Sequence, residues 1–211
     1  MLELIRNDQI VHLVNFQRMR KMTIDRKRQI IEAAAQSFSQ FGYKATTMEQ
    51  IAKLANVGKG TIYTFFKNKE DLLDEIISSL IVEIKESAKQ AMDPHLPFSE
   101  NVHRALYRIL EFRQQHQLTA KLLQEVRSIG TSAVQEVLKK LDRAIIDFIR
   151  EKIDMAIRKG EIRQCDSEIT AFLMLKAYIA LIVDWEKDHE PLSKEKIAEL
   201  FELYFLKGLS N

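Results

Sequence analysis

The sequence predicts an all-α chain of about nine helices, and three observations carry that reading. Apolar residues recur three and four apart along most of the chain, with no sustained alternation of the kind a half-buried strand shows. Six glycines and three prolines in 211 residues are too few for a β-sandwich, which needs a turn every ~8–12 residues. The apolar content of 46% is enough for a sizeable core and excludes a disordered tail.

The elements follow in order. Ile30, Ile31, Ala34, Phe38 and Phe41 form a helical stripe that Gly42 ends. Thr46 with Glu49 fits a capping box, with Thr47 and Gln50 as the alternative register, and a short helix follows with Ile51, Leu54 and Ala55 inward. Asn56-Val57-Gly58 turns the chain, and Gly58 to Phe66 reads as a second short helix with Ile62 and Phe66 inward. Asn68-Lys69-Glu70-Asp71 opens a long helix to about Met92, marked by Leu72, Leu73, Ile76, Ile77, Leu80, Ile81 and Ile84. After Pro94 and Pro97, helices are expected from Phe98 to His116 and from Leu118 to Ile129. Thr131-Ser132 caps a long helix through Val137, Leu141, Ile145, Phe148 and Ile157, stopped by Gly160. Asp166 caps a helix to about Lys187, and Ser193 to Gly208 is the last, with Ile197, Leu200, Phe201, Tyr204 and Phe205 on one face.

Several classes are excluded. The lone Cys165 allows no internal disulfide and no multi-cysteine metal site, and points to a reducing compartment. His12, His95, His103, His116 and His189 have no His or Cys partner at i, i+4, so no metal is expected. No segment reaches the ~18 charge-free apolar residues of a membrane span, and Glu3, Arg6 and Asp8 spoil a secretory signal at the N-terminus. No nucleophile–base pair, phosphate loop or paired carboxylate stands out, so neither an enzyme nor a cofactor is expected.

The net charge of +2 hides a split: residues 20–70 carry +6 and residues 71–211 carry −4. A basic segment on an acidic body suggests that one end meets a polyanion. Between Ile169 and Val183 only Lys176 is charged, so that helix is apolar nearly all round and must be covered on both sides. With the last helix it predicts a two-fold dimer interface that includes Phe172, Ile179, Leu181, Ile182, Trp185, Phe201 and Phe205.

The block from Arg26 to Leu73 carries the function. Scaffold helix, short helix, tight turn and second short helix make a helix-turn-helix, whose second helix enters the DNA major groove. That helix presents Lys59, Gly60, Thr61, Tyr63 and Thr64. Lys59 can donate to guanine O6/N7, and the Thr61 methyl can touch thymine. Thr46 or Thr47, with Tyr63 and Lys69, are expected on phosphates.

Phe38, Gly42 and Tyr43, the run Thr46 to Ala52, Ala55 to Tyr63 and Phe66 to Leu72 resemble the DNA-binding domain of the TetR family of bacterial transcriptional regulators. Many members place a His where Phe65 stands here, so that phosphate contact is not carried over. The resemblance implies a homodimeric, cytoplasmic repressor that leaves its double-stranded operator when a small molecule binds. It further implies a DNA-binding head at 24–70 and a body at 71–211 whose first part, 71–92, is a connecting helix; the extension at 1–23 is expected to be flexible, as termini untethered to a core are, with an arm that adds phosphate contacts as the alternative. An adaptor or nucleoid-associated role, with a protein as main partner, is the alternative. The expected effector is largely apolar, with Tyr107, Phe112, Phe148, Met155 and Phe172 as candidate pocket residues. Arg104, Arg108 and Arg113 are candidates for an anionic head, although an exposed arginine face is the commoner arrangement.

Overall fold

The computed structural model describes residues 25–111 and 131–209, which hold eight helices and no strand. The expected N-terminal extension, the helix at Leu118–Ile129, and the candidates Phe112 and Arg113 lie outside the described residues. The chain divides between Ile76 and Ile77 into two compact units.

The first unit holds α1 (25–41), α2 (Met48–Leu54), α3 (Lys59–Phe65) and the first turns of α4 (Lys69–Ala91). Gly42 ends α1 in the left-handed region, at φ 85°, with its N–H donated to the Phe38 carbonyl at 3.0 Å. The capping box of α2 takes the Thr47 register. The Gln50 N–H donates to Thr47 Oγ1 at 3.2 Å and the Thr47 N–H donates to Gln50 Oε1 at 2.8 Å. Thr46 cannot serve there because its side chain is buried.

The turn between α2 and α3 is built on Asn56, whose φ of 52° is left-handed. Its N–H reaches the Lys53 carbonyl at 3.2 Å, and the next N–H, of Val57, reaches Ala52 at 3.0 Å. These two bonds form a Schellman cap with asparagine in the usual glycine position. Ile30, Phe38, Ile51 and Ile62 are wholly buried, and Phe66 nearly so. Two expected inward residues face out instead. Leu54 sits about 100° around α2 from the direction shared by Ile51, Ala52 and Ala55, and Phe41 is on the last residue of α1.

The second unit holds the rest of α4, then α5 (Phe98–Glu111), α6 (Ser132–Arg158), α7 (Ser167–Ile179) and α8 (Lys194–Leu209). The α5 N-terminus is closed by a distant residue: the Phe98 N–H donates to Glu161 Oε2 at 2.8 Å. Gly160, at φ 71°, ends α6 with a second Schellman pair, its own N–H to Ile157 and that of Glu161 to Ala156. Asp166 caps α7 through the Ile169 N–H, and Ser193 caps α8 through the Lys196 N–H. Asp142 pairs with Lys176, while Arg150 pairs with Glu168 at 3.8 Å. The opposite chain order of the two pairs makes α6 and α7 antiparallel. Phe98, Leu106, Leu110, Ile153, Ala171, Met174, Ile197, Phe201, Leu206 and Leu209 form one buried core across α5–α8.

Both terminal helices depart from α geometry. α7 continues into a π-helical turn at Ala180–Asp184 and a 3₁₀ turn at Trp185–Lys187, and α8 contains a π-helical turn at Glu202–Leu206. Each π turn inserts one residue into the helical register. In α8 the buried positions are therefore Ile197, Phe201 and then Leu206, five residues on, not Phe205.

The Asn56 cap makes a direct prediction. Asn56→Gly leaves the unfolding free energy within about 0.5 kcal/mol or raises it, whereas Asn56→Val lowers it by about 1–2 kcal/mol. Urea titration of the two variants checks this.

Candidate functional site

The outward surface of α2, turn and α3 presents Lys59, Gly60, Tyr63 and Thr64, with Thr61 half-buried beside them. Ile62, wholly buried in the middle of α3, fixes the rotation of the helix so that these residues face out. Thr64 Oγ1 donates to the Thr61 carbonyl at 2.7 Å, which ties its hydroxyl to the helix. Gly60 stands in the first turn of a helix, yet a Cβ there would meet nothing within 4 Å. Nothing inside the fold requires glycine at this position, and glycine in a helix costs about 1 kcal/mol relative to alanine.

Lys59 forms an exposed ion pair with Glu49, which joins the first turns of α2 and α3. The hydrogen bond from Lys59, then its charge, holds the Glu49 carboxyl below its ordinary pKa. The same hydrogen bond and charge, seen from Glu49, raise the pKa of the Lys59 ammonium.

Two expected phosphate contacts are occupied within the fold. The Thr46 side chain is 1% exposed, and its hydroxyl lies 2.8 Å from the Gly42 carbonyl and 3.1 Å from Ser37 Oγ. Lys69 Nζ donates to the Tyr43 and Thr46 carbonyls at 2.7 and 2.9 Å and lies over the Tyr43 ring. Both residues bind the Gly42–Thr46 loop, where the carbonyls of the buried Gly42, Tyr43 and Thr46 need donors. Of the two threonines, Thr47 is the exposed one. Tyr43, which the sequence reading left without a role, donates its hydroxyl to Glu70 at 2.8 Å.

The second unit encloses a cavity of about 580 Å³ between α4, α5, α6 and α7. Its wall is mostly apolar and includes Ile84, Leu106, Leu141, Ile145, Phe148 and Ile182. The charged groups at the wall are Asp142, Lys152 and Glu186. Of the expected pocket residues, Phe148 lines it. Tyr107 does not: it stacks on His103 and lies under Lys194. Met155 is half-buried on α6 away from the wall, and Phe172 is exposed on the outer face of α7. Arg104 donates to the Ala91 carbonyl at 2.8 Å and Arg108 pairs with Glu111, so neither faces the cavity. The sequence reading missed the α4 wall and all three charged groups, which are dispersed over two helices.

The expected dimer residues separate in the same way. Phe201 is buried in the core and also reaches the cavity wall, and Ile179 and Ile182 line the cavity. Leu181 and Phe205 are half-buried against the core. Phe172 and Trp185 are exposed, together with Ile169, Leu173, Leu203 and Tyr204, of which the sequence reading singled out only Tyr204, on the apolar face of the last helix. Tyr204 is 71% exposed, Leu173 50% and Phe172 46%.

A helix-turn-helix head of this kind defines a DNA-binding regulator. Residues 30–76 match the family model of bacterial regulatory proteins of the tetR family, and residues 95–209 match a tetracyclin repressor-like C-terminal domain. The chain is 65% identical over 189 residues to the HTH-type transcriptional regulator YhgD of Bacillus subtilis (strain 168), covering 90% of this chain and 99% of that one. The chain belongs to the TetR family, and it is a transcriptional regulator rather than an enzyme. Its fold is shared with the regulator FadR of Bacillus subtilis, solved in complex with stearoyl-CoA, at TM-score 0.69 and 21% identity over 82% of this chain and 96% of that one. It is also shared with SmeT in its triclosan complex, at TM-score 0.72 and 18% identity over 88% and 92%.

The loop contacts predict stability effects in the head. Thr46→Val and Lys69→Met each lower its unfolding free energy by about 1–3 kcal/mol, since each leaves buried or half-buried carbonyls without a donor. Thr47→Ala, which removes an exposed cap, costs about 1 kcal/mol. Thermal and urea unfolding of the three variants test that order.

Proposed function

We propose that the protein is a homodimeric repressor that leaves its operator when a largely apolar small molecule enters the cavity. The observation that carries the DNA reading is Gly60, a helical glycine the fold does not require, at the centre of an exposed polar surface. A residue without a side chain lets the helix backbone approach base edges closely. Around it, Lys59 reads guanine, the Thr61 methyl meets thymine, Thr64 adds apolar contact, and Tyr63 with Thr47 holds phosphates. Two such heads on a pseudo-palindromic site occlude a promoter.

The dimer reading rests on the exposed apolar edges of α7 and α8, at Ile169, Phe172, Leu173, Trp185, Leu203 and Tyr204. A second copy related by two-fold symmetry buries the same residues on both sides. The effector reading rests on the cavity, whose volume and apolar wall suit a drug- or acyl-sized molecule. The acyl-CoA and triclosan carried by the two structural neighbours support that choice of chemistry. A coupling of ~1–3 kcal/mol between effector and DNA changes operator affinity roughly 5–150-fold. No helix among the described residues is long and apolar enough to cross a membrane, and we place the regulator in the cytoplasm with its DNA.

Three measurements test this function. Lys59→Ala weakens binding to a duplex selected by the wild-type protein by roughly 5–150-fold and relaxes preference at one position; equal loss on all sequences would assign Lys59 to phosphate instead. Leu173→Glu and Tyr204→Glu, on exposed positions, leave the fold intact and shift sedimentation to monomer; an unaltered dimer would remove these helices from the interface. In a thermal-shift screen, long-chain acyl-CoA or triclosan raises the melting temperature and releases the selected duplex, and Ile145→Trp, which fills the cavity, abolishes both responses. Stabilisation and release by small polar metabolites alone would overturn the apolar effector.

A further inference from the structure

Glu49 is the single acidic residue between Thr46 and Phe66, the stretch that forms the outward surface of α2 and α3. A surface that meets phosphates gains nothing from a carboxylate, and the fold gains little from this one. The side chains of Glu49 and Lys59 are 63% and 65% exposed, and ion pairs that open to water contribute little to stability. The pair has another consequence. It occupies the ammonium of the residue at the N-terminal end of α3, where side chains reach base edges.

We propose that Glu49 is a specificity residue: it holds Lys59 as an internal counter-ion and releases it only where a base acceptor replaces the carboxylate. The inference rests on the DNA reading given above. On DNA of arbitrary sequence, Lys59 has a choice between Glu49 and a phosphate, and the carboxylate repels that phosphate. Leaving Glu49 therefore brings little gain, and non-specific binding stays weak. On a site with a guanine under Lys59, the O6 and N7 acceptors accept the ammonium in a defined geometry, and Glu49 is left to water. The pair thus lowers affinity for all DNA but lowers it least for the right sequence, which widens the ratio between them. The depressed Glu49 pKa agrees with a carboxylate that stays ionised throughout the neutral range.

Glu49→Gln tests this with little risk to folding, because the position is exposed. Wild type, Glu49→Gln, Lys59→Ala and the double variant are compared by anisotropy across a salt series. The probes are a duplex enriched by the wild-type protein from a random pool, and poly(dI-dC). Glu49→Gln is expected to bind poly(dI-dC) on the order of 3–10-fold tighter, with a salt slope steeper by about 0.9, the signature of one more phosphate contact. The enriched duplex gains less, so the ratio between the two narrows. In the Lys59→Ala background the gain falls to the small part that comes from the carboxylate's own repulsion, without the steeper salt slope. Unchanged binding to poly(dI-dC), an equal gain on both probes, or a gain of the same size and slope without Lys59 would each overturn the proposal. A wild-type protein that enriches no sequence would overturn the DNA reading, and is distinguishable from those three results.

Discussion

The five-residue loop Gly42–Thr46 is the constraint on which the head depends. It turns the chain out of α1 and into α2 with Gly42, Tyr43 and Thr46 buried and Lys44 and Ala45 exposed, so the carbonyls of the buried residues need partners. The Thr46 hydroxyl serves Gly42 and Ser37, and the Lys69 ammonium serves Tyr43 and Thr46 from the first turn of α4. A further bond, from Tyr43 to Glu70, joins the same loop to the same turn. Two helices and a loop separated by more than twenty residues are thereby held by polar contacts whose loss leaves buried groups unsatisfied. The rotation of α3 then follows from Ile62, and the identity of the exposed residues from that rotation.

The second unit solves a different problem. Its helices pack into one core, yet leave space between α4, α5, α6 and α7. Large apolar side chains that would close that space instead line it. An apolar wall of this extent offers dispersion contacts to a molecule that fills the space, and such a molecule stabilises the folded unit by mass action, the more so the tighter it binds. Binding and folding are linked in this unit for that reason.

Much of this was legible in the sequence because it is written in local chemistry. Gly42, Gly160, Asp166 and Ser193 end or begin helices where their residue types predict. The helix-turn-helix block was legible for the same reason, through several short segments at fixed spacing. Thr46 and Thr47 were not separable, since either fits a capping box and only burial distinguishes them. The lining of the cavity was not legible either. Tyr107 and Met155 belong to the right helices, but a pattern of apolar residues does not say which of two buried directions each one takes. Phe201 and Phe205 were assigned to the dimer surface because they share the apolar stripe of the last helix with Tyr204; Tyr204 is exposed, whereas both phenylalanines turn to the core.

The π turns of the terminal helices bear on how the chain can change length. Most insertions and deletions survive in surface loops, where the neighbouring elements do not sense them. Deleting one residue within Glu202–Leu206 would let the backbone return to ordinary α bonding without strain. Leu206 would then stand four residues after Phe201, on the same face of an ordinary α-helix, and Leu206 and Leu209 would keep their places in the core. The carbonyl of Leu209, which accepts the Arg163 N–H at 3.0 Å, would stay with them. In this segment the number of residues is therefore under looser restraint than elsewhere in a packed helix, and a one-residue gap there would mark lineages whose C-terminal helix keeps the same packing without the π turn.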